Sequence, residues 1–440
     1  MLLRLWERLH VSYWFVPIVM VVGSILLAAF TLRLDASNGD LYRHLPYAFA
    51  GSADGARQLL STLAGAMITV AGVAFSIMIV VLSLASQQFG PRLIRNFMVD
   101  VGSQAVLGIY IATFILNLIV LSEVQTIDGI DYVPRISITI SLLLAMFSFV
   151  VLIYFIHHMA RSVQVETVIH RVTDDLEDEI HRLYPEKMGQ ESPHLQADRQ
   201  VLPDSFDSQA CPLPSRSYGY VETVDSDTVM KLATKHDLVL KLCRRPGDHV
   251  IQGEPLALVS PPGRLEGNLK DELSRAFSLS NARTPTQDIQ FSVLQMVEVA
   301  VRSLSPSIND PFTAMTCVDR LGAILVSLLK RRFPSPNRVD EQGRLRVVAR
   351  VQSFEGIFDA ALNQIRQAAA SNVAVSMRLL ETLGRLADKT CRPEDSGPIA
   401  RHAAMVYRSI VTRTSEQEDI REIETRYKQV LEALEKAPHS

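Results

Sequence analysis

The chain has 440 residues, of which 48% are hydrophobic and 21% charged, with a formal net charge of −3. A charge so close to neutrality provides no field that would attract nucleic acid, so no nucleic-acid partner is expected. The four cysteines lack a CxxC pair or a nearby histidine, which argues against a disulfide framework or a zinc knuckle.

The first third of the sequence is much more apolar than the rest. Uncharged apolar stretches occupy residues 11–32, 58–89, 101–122 and 136–156. Each is long enough to cross a bilayer, because ~20 helical residues span a hydrocarbon core of ~30 Å. We therefore predict an α-helical integral membrane protein, with four transmembrane helices in residues 1–160 and the lipid bilayer as its solvent.

The positions of the arginines predict the orientation of these helices. Arg4 and Arg8 precede the first stretch, which is too long for a signal-peptide core and is interpreted as an uncleaved anchor. Arg92 and Arg95 lie in the second loop and Arg161 follows the fourth stretch, whereas the third loop is mainly acidic. By the positive-inside rule, both termini are expected in the cytoplasm.

The second stretch carries a seam of small and hydroxyl residues with a heptad repeat. Alternating three- and four-residue steps put these residues on one helix face. The seam consists of Thr62, Gly65, Thr69, Gly72, Ser76, Ile79, Ser83 and Ser86. Within lipid, such a face either packs closely against another helix or lines a water-filled pore. The sequence leaves both interpretations open.

After the fourth stretch, no proline or glycine occurs before Tyr184, so that helix is predicted to continue as a stalk over residues 161–184. The stalk has an amphipathic apolar stripe. Two carboxylate–imidazole pairs, Glu166/His170 and Glu177/His181, have a spacing that could ligate a metal. We interpret them as a solvated charged face, and no metal is predicted.

Two further segments follow the stalk. Residues 185–217 form a polar, proline-bearing linker, and residues 218–262 form a small β module. The module has two glycine turns separated by a short apolar strand, and it resembles half of a biotinyl/lipoyl-type barrel-sandwich hybrid. Lys231 invites comparison with a modified lysine, but it lies in a predicted short helix, so no covalent cofactor is expected.

The rest of the chain is predicted to form a mainly helical domain over residues 263–440, with one β-hairpin. Helical periodicity runs over 286–304 and 311–331, and the hairpin turn is placed at Gly343. A last helix is expected near 416–436. Together with the β module, this predicts an α+β cytosolic region.

One dense polar cluster occurs in this region, around the starts of two predicted helices. It contains Arg283, Thr284, Gln287, Asn309 and Asp310. Thr284 and Asp310 each precede a proline, so both are expected to cap a helix. Alternatively, two helix amino termini and an arginine attract a small anion such as a phosphate, provided that the fold brings them together.

The absence of several catalytic motifs from the sequence limits the classes of function that it predicts. The sequence has no P-loop, GxSxG, HExxH or GxGxxG motif, so no enzyme activity is predicted. The four apolar stretches contain no charged residue, which disfavours an ion-coupled pump. We therefore expect an oligomeric channel-like protein for passive solute or ion passage, with the second helix lining or closing the axis and the cytosolic region gating or sensing. The alternative is a non-conducting membrane scaffold or ligand sensor.

Five segments are distinctive: ASQQFGPRLIRNFM at 85–98, GYV at 219–221, RPGD at 245–248, RTPTQD at 283–288 and LSPSINDPFTA at 304–314. Together they resemble a bacterial family of predicted membrane proteins, domain-of-unknown-function family twenty-two fifty-four. The resemblance covers nearly the whole chain. It implies an integral membrane protein with a cytosolic domain, and it implies no activity. We expect a multi-pass protein of the bacterial inner membrane.

Overall fold

A computed structural model describes residues 14–37, 49–93, 100–127, 130–184, 202–203, 205–265, 267–331, 333–390 and 392–436. It divides the chain into two compact units, Met1–Val168 and Ile169–Ser440. Most of the predicted linker lies outside the described residues, and so do Arg4, Arg8 and Arg95, on which part of the predicted orientation depends.

The described part of the first unit consists of long apolar helices and one short hairpin. The elements are α1 Phe15–Ser37, α2 Ala53–Phe89, α3 Val101–Glu123, β1 Gln125–Ile127, β2 Ile130–Tyr132 and α4 Arg135–Ser162. All four helices are long and apolar enough to cross a membrane. The sequence prediction located each of them, although α2 begins five residues earlier than residue 58, where Ser52 accepts a hydrogen bond from Gly55 N.

Helix α3 is the centre of the first unit, because α1, α2 and α4 all pack against it. Close approach of α1 depends on Gly108, where an added Cβ would lie 2.6 Å from Met20 Sδ and 3.2 Å from Pro17 Cα. Large apolar side chains such as Phe149 and Ile153 are exposed on the outer faces. An apolar exterior is the surface expected of a helical unit in lipid.

Helix α4 receives its amino-terminal cap from another helix. Its own N-cap residue, Pro134, offers no side-chain acceptor. Instead, the Asp35 carboxylate at the end of α1 accepts hydrogen bonds from Ile136 N and Ser137 N, both at 2.9 Å, and from Ser137 Oγ at 2.7 Å. An anion at this position satisfies free N–H groups and the positive end of the helix dipole.

The stalk is a separate helix, α5 Val165–Leu183, so the prediction of one continuous helix is wrong. Gln164 N donates to Arg161 O at 3.1 Å, which closes a turn between α4 and α5. The two stretches bury different surfaces: α4 is apolar on all sides, whereas α5 is apolar on one. The predicted stripe on α5 is buried at Ile169, Val172, Leu176 and Ile180.

After α5, the second unit continues with short strands and helices. In chain order these are α6 Phe206–Gln209, β3 Cys211–Pro214, β4 Gly219–Val224, α7 Ser226–Lys235, β5 Val239–Leu242, β6 His249–Val250, β7 Pro255–Ser260, α8 Asn268–Arg275 and β8 Phe277–Ser280. The predicted module at 218–262 therefore contains four strands and a helix. They do not close on themselves, and a barrel-sandwich hybrid is not confirmed.

Strands from outside the predicted module complete its sheets. One sheet has the order β3-β7-β5-β10-β9 and the other has the order β6-β4-β8, where β9 is Asn337–Val339 and β10 is Leu345–Val348. Strand β10 pairs in parallel with β5, with Val347 opposite Leu240. Leu213, Leu240 and Val347 are buried in one core, so the predicted boundaries at 218 and 262 divide a single hydrophobic cluster.

The remaining helices form the mainly helical part that the sequence predicts. They are α9 Ile289–Ser303, α10 Pro311–Leu329, α11 Phe354–Ala368, α12 Val373–Ala387, α13 Pro393–Val411 and α14 Gln417–Lys436. The hairpin β9–β10 turns at Gly343, whose φ is +74°, as predicted. Helix α10 is a fifth helix apolar enough to cross a membrane, and it packs against α9 and α12.

The cap that Asp35 supplies to α4 is testable by unfolding. Asp35→Ala should lower the free energy of unfolding by about 1–3 kcal/mol, because two backbone donors lose a charged acceptor. Asp54→Ala is the matched control, since Asp54 is exposed and pairs with Arg57 three residues away; it should cost less than about 1 kcal/mol. Chemical denaturation in detergent micelles measures both, and equal losses would contradict the assignment.

Candidate functional site

The seam of α2 lies on the side of the helix that the first unit leaves uncovered. The opposite face of α2 is buried, with Met67, Ala71 and Ala74 in one cluster with Tyr110 and Ala145. Seven of the eight seam residues are exposed, and one is half-buried. The exposed residues are Thr62, Gly65, Thr69, Gly72, Ser76, Ile79 and Ser83.

The partial burial of Ser86 follows from helix geometry. A repeat of 3.5 residues drifts about 20° per heptad around a straight α-helix. The carboxyl-terminal end of the seam therefore turns towards the covered side of α2.

Nothing described within one copy of the chain requires the seam to be small. A Cβ added at Gly65 or Gly72 would meet no described atom within 4 Å. The hydroxyls of Thr62 and Thr69 donate to Gln58 O at 2.8 Å and to Gly65 O at 2.7 Å, one turn earlier in the same helix. These hydroxyls are satisfied without water, so the face is compatible with either a dry contact or a wet one.

In the second unit, the predicted anion ligand Arg283 is paired with Asp288. Arg283 donates from Nε at 2.9 Å and from Nη2 at 2.6 Å to Asp288 Oδ2, while Gln352 Nε2 donates at 3.3 Å to Oδ1. Asp288 is only 1% exposed. Burial raises the pKa of Asp288, and the Arg283 charge opposes that rise. The guanidinium is thus already neutralised by a carboxylate from its own loop.

Two of the motifs that carry the family resemblance meet at this ion pair. The turn at 245–248 approaches so closely that a Cβ on Gly247 would overlap Asp288 Oδ2. Gly247 has φ +90° and donates its N–H to Val221 O at 2.8 Å. Only glycine adopts this backbone conformation without strain and leaves room for the carboxylate. The RPGD turn at 245–248 therefore needs glycine at position 247 in order to pack against Asp288 of the RTPTQD segment.

The loop before α9 differs from the prediction. Thr284 does not cap a helix, since α9 begins five residues later, at Ile289. The Oγ1 of Thr284 instead lies 3.4 Å from Thr286 Oγ1. Gln287 instead pairs with β4, accepting from Val224 N at 3.0 Å and donating to Val224 O at 3.5 Å. These contacts hold the loop to the sheet, which is why the helix starts later than its proline suggests.

The other half of the predicted cluster lies at the far end of α9. Asp310 caps α10 as predicted, accepting from Thr313 N at 3.1 Å and from Thr313 Oγ1 at 2.6 Å. Asn309 precedes it in the left-handed conformation with φ +50°. Helix α9 has 15 residues, a length of about 22 Å at 1.5 Å per residue. The structure therefore does not bring Asn309 and Asp310 to Arg283.

A buried carboxylate that the sequence analysis missed lies beside α9. Glu179 of α5 accepts a hydrogen bond from Ser292 Oγ at 3.0 Å, and its Oε2 is buried without a partner among the described residues. Its position three residues after Leu176 puts it on the apolar stripe, which is the signal that could have identified it. Burial raises the pKa of Glu179 to about 7; Arg182 opposes this rise, and Asp175 and Asp288 add to it.

The two histidines of α5 that the sequence pairs with glutamates have other partners. His170 Nδ1 lies 2.8 Å from Asp174 Oδ2, and His181 Nδ1 lies 2.9 Å from Arg331 Nη2. Within the described ranges, no group of three His, Cys, Asp or Glu side chains is placed to hold a metal ion.

The buried Glu179 should make stability depend on pH. Its folded-state pKa is raised from 4.5 to about 7, so the folded protein binds the proton more tightly and loses stability as pH rises through this range. Glu179→Gln removes that loss and should stabilise the protein above pH 7 by up to about 3 kcal/mol. Below the ordinary pKa of the group, the wild type and the variant should be equally stable.

Denaturation of the full chain at several pH values measures this difference. Glu177 is an exposed carboxylate on the same helix. The control variant Glu177→Gln should leave the free energy of unfolding unchanged at every pH. A Glu179→Gln effect that is the same at pH 5 and pH 8 would contradict the assignment.

Comparison with known proteins places the chain in a family. A family model described as "Predicted membrane protein (DUF2254)" matches residues 10–385. Uncharacterized proteins of Mycobacterium bovis and of Mycobacterium tuberculosis H37Rv are each 32% identical to it over 419 residues, covering 94% of this chain and 79% of the relative. No solved structure matches. The chain therefore belongs to the family of predicted membrane proteins designated domain of unknown function 2254, and its apolar helices make it a multi-pass membrane protein.

Proposed function

We propose that this protein is an oligomeric, channel-like protein of the bacterial inner membrane, in which the α2 helices of several copies line or close a central axis. The second unit is the cytosolic part that gates the axis or senses a ligand. Passage is passive, since the apolar stretches of the sequence offer no charged group for coupling to an ion gradient.

The observation that carries this proposal is the uncovered seam of α2. Residues that face lipid are normally apolar, and this unit follows that rule at Val73, Val80 and Leu84 of the same helix. Glycine within a helix costs about 1 kcal/mol relative to alanine. A face with two glycines and several hydroxyls is favourable where another backbone approaches closely or where water is present. A second copy of the chain supplies either environment.

We further propose that α1–α4 cross the membrane and that α10 does not. Half of the most apolar window of α10 is buried inside the second unit. Val318, Leu321, Leu325 and Leu328 are completely buried there. The apolar character of α10 is thus used in packing. With four spans, the positive-inside rule puts both termini in the cytoplasm.

The alternative is a non-conducting scaffold or ligand sensor, in which the seam only packs helices. The self-satisfied hydroxyls of Thr62 and Thr69 favour it, because they need no water. A small anionic ligand belongs to this alternative, and at Arg283 it would have to compete with Asp288, which is already bound there.

Thiol accessibility distinguishes a wet seam from a dry one. Single cysteines at Thr69, Ser76 and Ser83 should react with a membrane-impermeant thiol reagent if the seam lines water. Ile77→Cys and Val81→Cys are controls on the same helix, turned away from the seam towards lipid and towards the buried face. Uniform protection at all five positions in a folded, assembled protein would exclude an open pore and leave a scaffold or a closed channel.

Reporter fusions test the topology. Fusions after Gln88, after Arg161 and at the carboxyl terminus should all report the cytoplasm, whereas one after Asp128 should report the outside. If α10 crossed the membrane, the fusions after Arg161 and at the carboxyl terminus would lie on opposite sides. An external fusion after Arg161 would contradict the four-span topology itself.

A further inference from the structure

Helices α3 and α4 contain buried polar atoms that lack hydrogen-bond partners. Asn117 of α3 and Ser141 of α4 are both 0% exposed. Asn117 Nδ2, Asn117 Oδ1 and Ser141 Oγ have no partner among the described residues. Leaving buried polar atoms unpaired costs free energy, and in a bilayer no lipid tail can supply the missing bonds.

The register of the two helices puts these residues opposite each other. Helices α3 and α4 are joined through a short hairpin and run antiparallel; His158 Nε2 lies 2.7 Å from Asp100 Oδ2, and Tyr110 Oη donates to Ser148 O at 2.8 Å. Ten residues along one helix thus correspond to ten residues back along the other. Seven residues beyond Tyr110 is Asn117, and seven before Ser148 is Ser141. Seven residues are about two turns, so both residues keep the facing orientation.

Apolar clusters enclose this position on both sides along the helices. Tyr110 and Ala145 belong to the cluster on one side. Leu116, Val120 and Ile138 belong to the cluster on the other. Apolar side chains therefore lie on both sides of the unpaired atoms along the helices.

Ser141 also differs in its hydrogen bonding from Ser148, about two turns later on the same helix. Ser148 Oγ donates to Leu144 O at 2.9 Å, the usual bond of a serine to the carbonyl one turn earlier. Ser141 Oγ makes no such bond within the described structure. Its hydroxyl remains available to a ligand between the helices.

From these observations we infer that Asn117 and Ser141 hold one internal water molecule between α3 and α4. The unpaired set contains a donor, Nδ2, an acceptor, Oδ1, and a hydroxyl that is both. A cation would leave Nδ2 unpaired and an anion would leave Oδ1 unpaired, whereas water both donates and accepts and typically makes about three hydrogen bonds in such sites. This site lies away from the seam of α2 and does not depend on the proposed channel.

Water-edited NMR tests the site directly. The full chain, labelled with nitrogen-15 at asparagine and reconstituted in bilayers, should show transfer of magnetisation from water to the Asn117 side-chain amide, identified by its loss in Asn117→Leu. Ser141→Ala should abolish the transfer, because it removes one anchor of the water and leaves Asn117 in place. Ser148→Ala is the control and should leave it unchanged. No transfer in the wild-type protein, or equal loss in both serine variants, would overturn the inference.

Thermal unfolding supplies an independent readout. Ser141→Ala should lower Tm in the wild-type background and have no effect in the Asn117→Leu background, because the shared ligand is then already lost. An equal shift in both backgrounds would overturn the inference. A Tm shift confined to the wild-type background, without transfer from water in the NMR experiment, would indicate a direct Asn117–Ser141 hydrogen bond. That result would overturn the inference as well.

Discussion

Polar contacts at the helix ends join the helices of the first unit. Lipid tails are as apolar as leucine, so the hydrophobic effect does little to bring the helices together inside a bilayer. Asp35 of α1 caps the amino terminus of α4, and Arg57 of α2 donates from Nε and Nη2 to Val124 O, both at 3.3 Å, at the carboxyl end of α3. Each charge has the sign that complements the dipole of the helix it meets.

The pair Asp100–His158 and the hydrogen bond from Tyr110 Oη to Ser148 O set the register of α3 and α4. Packing of α2 against α3 and α4 leaves the seam face of α2 open. The register of α3 and α4 underlies the inference that Asn117 lies opposite Ser141. The proposed channel axis uses the open face, whereas the inferred water site uses the covered interior.

Much of this architecture was predictable from the sequence, because long uncharged apolar stretches favour long apolar helices. The helices α1–α4, the hairpin at Gly343 and the cap at Asp310 were predicted correctly. The helix break after Ser162 was not, since no proline or glycine marks it. The β module was drawn too small because β10 joins β5 from about a hundred residues away, and local periodicity carries no information about such pairings.

The polar cluster was only partly predictable for the same reason. Composition identified Arg283 as a charged group at a helix start, but its partner could be known only from the path of the loop, which turns Asp288 back to it. Glu179 was overlooked because acidic residues surround it on α5, although its place on the apolar stripe is visible in the sequence.

The central claim is that the seam of α2 faces the same seam in another copy of the chain, and cross-linking tests this most directly. Single cysteines at Gly72 and Ser76, with the native cysteines replaced by alanine, should give covalent dimers in membranes on oxidation or with a short bis-maleimide. Ile77→Cys, about 100° away around the helix, should stay monomeric. Monomers at both seam positions, or equal dimer yields at Ile77, would contradict the account.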